Sequence, residues 1–70
     1  MAHVFSGQKV RDARTRAGIR PEMIAVAISR SVDSLRLYEQ GRTDPPASVI
    51  AALANALHLE PGEFFDQVAP

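Results

Sequence analysis

The chain has no cysteine and no tryptophan, only four aromatic rings in 70 residues, and no net charge. Without cysteine there is neither a disulfide framework nor a thiolate metal site, and composition gives no sign of a redox compartment. A domain this short must be held by helix packing, with dimerisation as a further aid. No apolar run approaches the roughly 18 residues of a membrane span. The opening Met1-Ala2-His3 lacks the basic and apolar regions of a secretory signal. The expectation is a single cytoplasmic domain spanning residues 1–70, with no membrane partner.

The residue sets that chemistry requires are also missing. His3 and His58 stand far apart without companion ligands at metal-site spacing, so neither a metal nor any other cofactor is expected. His58 reads instead as a helix-end residue that meets terminal carbonyls. No histidine and acid are placed to activate a serine, and there is no glycine-rich phosphate loop. Glu60, Glu63 and Asp66 fall at the edge of a short terminal segment, where carboxylates are solvated rather than set for acid-base work. An enzyme is not expected.

The zero net charge conceals a segregation. All eight basic residues lie within positions 1–42 against four acids there, a local excess of +4, and the remainder carries −4. Such a dipole suits a protein that offers one end to a polyanion and keeps the other away from it.

Spacing and punctuation give five short helices, over residues 6–17, 21–28, 31–40, 47–57 and 61–67. Ser6 is placed to cap the first, with Phe5 and Val10 as a hydrophobic staple, and Gly18 stops it. Pro21 suits the first turn of the second, where its missing N–H has no partner to lose. Ser31 caps the third, Leu35 and Tyr38 share one of its faces, and Gly41 supplies the left-handed residue after it. Thr43-Asp44-Pro45-Pro46 is a stiff connection. In the fourth helix Val49, Ile50, Leu53, Ala54 and Leu57 make a stripe to bury. Pro61 opens the fifth, which lowers Phe64 and Phe65 onto the core. No alternating strand pattern or internal repeat appears, so the expected fold class is all-α, a compact five-helix bundle.

The second and third helices, joined by a short turn, have the dimensions of a helix-turn-helix. The residue pattern sharpens this. It comprises Val10 with Arg14, Gly18-Ile19, Ile24-Ala25, Ile28, Ser31, Leu35, Tyr38-Glu39-Gln40-Gly41-Arg42 through Pro45, Ile50, Leu53-Ala54, Leu57, Leu59-Glu60 and Phe64. From Gly7 to Phe65 the chain resembles the phage repressor and Cro type of helix-turn-helix domain, also called the xenobiotic-response-element type. The resemblance implies a lambda-repressor-like bundle that binds double-stranded DNA as a transcriptional regulator, most often a repressor. It implies a largely buried ion pair between Arg14 and Glu39. It also places Val32, Asp33, Arg36 and Leu37 of the third helix at the positions that face the major groove.

The departures from the family pattern bear on function. Where relatives often begin the second helix with Ser-Gln, this chain has Arg20-Pro21, which leaves Arg20 for the phosphate contact. The turn glycine is replaced by Ser29, which adopts a left-handed backbone only at a cost, and the next residue is Arg30. Of the groove-facing set, only Arg36 can make the bidentate guanine bond. Val32 and Leu37 suit thymine methyl groups, and Asp33 could accept from cytosine N4 but repels phosphates. Candidate phosphate contacts are Lys9, Arg11, Arg20, Arg30, Ser31 and Arg42.

Relatives bind as dimers on inverted half-sites. On the fourth helix, Ala51, Ala52, Asn55 and Ala56 lie opposite the core stripe, and Val68 and Ala69 extend an apolar tail, so a homodimer through the last two helices is expected. The alternative is a protein-interaction module on the same fold, suggested by Met23, Val26, Val32 and Leu37 where polar residues are usual.

Overall fold

In the computed structural model, which describes the backbone of residues 2–68 and the side chains of residues 4–67, local chemistry places each helix start. The Ser6 hydroxyl accepts from the Lys9 amide and opens α1, Gly7–Arg16. Pro21 is the first residue of α2, Pro21–Ala27. Ser31 accepts from the Ser34 amide and opens α3, Val32–Glu39. Helix α4, Ala47–Leu57, follows an extended Pro46 with no side-chain cap.

All four helices end in the same way. At each end one residue takes a left-handed backbone: Gly18 (φ 71°), Ser29 (57°), Gly41 (73°) and His58 (57°). In each case the next amide reaches back five residues, from Ile19 to Arg14, Arg30 to Ala25, Arg42 to Leu37 and Leu59 to Ala54. The left-handed residue's own amide bonds three residues back, which completes a Schellman motif and satisfies two otherwise open carbonyls. At the fourth end it is the backbone of His58 and Leu59 that meets the terminal carbonyls.

The expectation of a fifth helix over 61–67, and of a strictly all-α fold, is corrected. Pro61–Phe64 forms one 3-10 turn, and Phe65–Val68 is a strand, β2, antiparallel to β1, Ala2–Phe5. Ala2 faces Val68 and Phe5 faces Phe65. The physical reason is the partner: the start of the chain offers free backbone donors and acceptors beside residues 65–68, and ladder bonds replace helical ones. Two four-residue strands at opposite ends of the chain leave no alternation to read. Contacts within the sheet and around the start of α1 hold these segments together. The Ser6 amide donates to the Phe64 carbonyl at 2.7 Å, Lys9 Nζ reaches both the Phe65 carbonyl (3.1 Å) and Asp66 (2.8 Å), and Phe5 meets Phe65 edge-on at 6.0 Å.

The core unites every helix. Val10, Ile24, Leu35, Val49, Leu53 and Phe64 are its largest fully enclosed side chains. Phe5 is partly buried against the cluster that holds Val10, as a staple requires. Gly7 sets how closely α1 approaches the end of α3. A Cβ there would stand 2.7 Å from the Glu39 carbonyl oxygen and closer still to that of Tyr38. These are backbone atoms, with no rotamer to escape into.

Candidate nucleic-acid interface

The close approach at Gly7 allows Arg14 on α1 to reach Glu39 at the end of α3. Arg14 Nε donates to one Glu39 carboxylate oxygen at 2.7 Å and Nη2 to the other at 3.2 Å, and Nη1 donates to the Ile19 carbonyl at 3.0 Å. Only 13% of the Arg14 side chain and 8% of the Glu39 side chain are exposed. The hydrogen bonds Arg14 donates to Glu39, aided by the carboxylate's charge, outweigh desolvation and hold the Arg14 pKa above its ordinary value. Two parallel bonds of this kind orient as well as attract. They fix the end of α3, and the loop after it, against α1.

Beside this pair lies a concave cleft lined by Gln8, Arg11, Pro21, Arg36, Gln40 and Arg42, with the ion pair at its floor. Three elements and a loop meet there: the start of α1, the start of α2, α3 and the turn after it. Arg11, Arg36 and Arg42 are exposed. Arg36 touches Asp33 at 3.6 Å, one turn back on the same helix. Asp33, Arg36 and Leu37 form the outward face of α3, with exposed Gln40 just past its end, while Leu35 and Tyr38 are buried on the other face.

The remaining sequence candidates are distributed differently. Val32 is only partly exposed. Lys9 is held at β2 by Asp66 and the Phe65 carbonyl, away from the cleft lining. Residues two apart on a helix diverge by about 200°, so Lys9 and Arg11 cannot share a face. Arg30 is exposed at the α2–α3 turn and donates to the Ser29 carbonyl at 3.1 Å. The Ser31 hydroxyl is engaged with Ser34. Arg20 borders an apolar hollow with Ile19, Met23, Ala27 and Ala56. On α4, Ala51 and Asn55 are exposed, and Ala52 and Ala56 pack partly against their own core. The Val68 side chain and Ala69 lie outside the described residues.

A helix-turn-helix domain family model matches residues 7–64, most of the chain. The chain belongs to that family. Among solved structures, this helix-turn-helix domain is similar to the restriction-modification controller protein C.AhdI from Aeromonas hydrophila. The two are 32% identical with a TM-score of 0.79, over 84% of this chain and 89% of that one. The P22 c2 repressor, in complex with a synthetic operator, is 24% identical with a TM-score of 0.76, over 83% and 88% of the two chains. A transcriptional regulator from Listeria innocua is 21% identical with a TM-score of 0.81, over all of this chain and 64% of that one. At these identities the last two speak for the fold alone. Comparison with curated proteins finds no match. The match and the C.AhdI neighbour agree with the phage repressor and Cro type of helix-turn-helix domain.

Three contributors to the site escaped the sequence reading. Gln8 lies one turn before Arg11, and that spacing was the available signal. Gln40 falls within the Tyr-Glu-Gln-Gly-Arg stretch, where nothing local marks it for a task. Gly7 carried no local signal, because what demands a glycine there is the pair of carbonyls at Tyr38 and Glu39.

Proposed function

We propose that this helix-turn-helix domain is a sequence-specific DNA-binding regulator, acting as a repressor, that lays α3 in the major groove. The observation that carries this is the cleft in which Arg11, Arg36 and Arg42 converge beside the outward face of α3. Arg11 and Arg42 hold phosphates, with Gln40 as a neutral donor beside them and Gln8, whose amide donates to Asp12 at 2.9 Å, at the edge. Arg20 and Arg30, exposed near the starts of α2 and α3, extend the contact along the backbone. Arg36 reaches guanine, and Leu37, 41% exposed, offers an apolar contact for a thymine methyl. The P22 c2 neighbour bound to its operator supports the same use of the fold.

The active form is a homodimer on paired half-sites, joined through α4, with exposed Ala51 and Asn55 at the contact and the partly buried Ala52 and Ala56 beside them. Sedimentation at high micromolar concentration tests the dimer, and a monomeric mass would remove it.

A second reading, a protein-interaction module, is favoured by Met23 and Val26 on α2, which are 59% and 79% exposed. Selection of bound fragments from random duplex DNA, by the wild type and Arg36→Ala, separates the two. A base reader enriches a motif and loses part of it with Arg36. A protein module enriches nothing, and its partner binding is indifferent to Arg36.

A further inference from the structure

Asp33 does not fit a simple phosphate-binding surface. It points a carboxylate, 91% exposed, from the first turn of the helix proposed to enter the groove, where a polyanion would repel it. Stability does not explain the residue, because its contact with Arg36 is a single loose approach at 3.6 Å between two exposed side chains, and such pairs add almost nothing. The first-turn position favours an acid modestly through the helix dipole, in addition to the Ser31 cap, but that preference does not require the acid to stand on the outward face beside Arg36.

We infer that Asp33 and Arg36 act as one reading unit. Arg36 donates its forked N–H groups to O6 and N7 of a guanine, and Asp33 accepts from the exocyclic amino group of a neighbouring base, cytosine N4 or adenine N6. The inference rests on α3 being the groove helix. Side chains three apart on a helix leave Cβ atoms about 5–6 Å apart, and base pairs rise by about 3.4 Å, so the unit spans adjacent pairs. The Arg36–Asp33 approach at 3.6 Å is too long for a hydrogen bond, which leaves the guanidinium donors free for the base. The carboxylate works equally by exclusion. Opposite guanine or thymine, which present acceptors at those edges, it stands desolvated and unpaired, and non-operator DNA is rejected.

The full chain, its Asp33→Ala and Asp33→Asn variants and Arg36→Ala are each taken through selection from random duplexes, with affinities for a selected and an unrelated duplex measured at one stated salt. The wild type is expected to enrich a guanine with cytosine or adenine beside it, and the base found there names the amino donor. Asp33→Ala keeps the guanine, loses the neighbouring preference by roughly 10-fold and binds unrelated DNA more tightly. Asp33→Asn moves that position towards adenine. Both substitutions are on an exposed site, and an unchanged helical circular dichroism spectrum shows the fold is kept. If Asp33→Ala selects the same bases with the same strength as the wild type, the reading unit is wrong while DNA binding stands. If the wild type itself enriches nothing, the DNA reading fails and takes this inference with it.

Discussion

Ser29 and His58 occupy a backbone region that side chains with a Cβ avoid, and exchange for glycine should therefore stabilise the domain. The left-handed conformation costs a non-glycine residue roughly 1–2 kcal/mol. Glycine relieves that cost but gives back about 0.4–1 kcal/mol through the freedom it adds to the unfolded chain. The net gain for Ser29→Gly is thus about 0.5–1 kcal/mol. Neither hydroxyl nor imidazole subtracts from this, since neither makes a side-chain hydrogen bond among the described residues. At about 4–8 °C per kcal/mol for a domain of this size, Tm rises by about 2–8 °C. The reverse exchange supplies the control. A Cβ at Gly18 or Gly41 would meet nothing within 4 Å, so Gly41→Ala costs its dihedral less the same entropic return, about 0.5–1 kcal/mol, with a fall in Tm of similar size. Thermal melts followed by circular dichroism read all four variants. A lower Tm for Ser29→Gly, or an unchanged one for Gly41→Ala, would refute the claim that these helix ends are governed by backbone conformation.

Gly7→Ala meets no dihedral penalty but collides with two carbonyls, and should lose about 1–3 kcal/mol or more in urea unfolding, whereas Gly62→Ala, with open space around it, should be near neutral. Glu39→Ala leaves the Arg14 guanidinium largely enclosed and unpaired, at about 3–5 kcal/mol, and removing Arg14 as well should recover part of the loss in a double-mutant cycle. Phe64→Ala empties the middle of the core at about 3–5 kcal/mol. Since 70 residues carry about 4–10 kcal/mol in all, this variant loses a large part of its stability, which urea unfolding should show as a much lower midpoint.

What could be read in the sequence was what depends on neighbours in the chain. Ser6 and Ser31 cap because a hydroxyl three residues ahead of a free amide can reach it. Pro21 and Pro61 open turns because they lack a donor where none is needed, and the stripe from Val49 to Leu57 is buried because its spacing puts it on one face. The family resemblance carried Arg14 and Glu39 to one another across 25 positions. What could not be read depends on segments far apart. Phe65–Val68 has no local reason to prefer a strand, and it becomes one because Ala2–Phe5 lies alongside. Charge alone groups Lys9 with Arg11, yet Asp66, distant in sequence, holds it elsewhere. The two acidic and basic halves likewise meet at this point, so the charge dipole along the chain is not a simple division of the surface.

The measurement closest to the central claim, that the arginine cleft and α3 hold duplex DNA, is the affinity for a selected duplex as a function of salt, for the wild type, Arg42→Ala and Lys9→Ala. A straight line of log affinity against log salt is expected for the wild type, with a slope of about −0.9 for each phosphate neutralised. Arg42→Ala should reduce the slope by about one contact, and Lys9→Ala should leave it unchanged. A wild-type line without slope, or a slope lost with Lys9 and kept without Arg42, would contradict the claim.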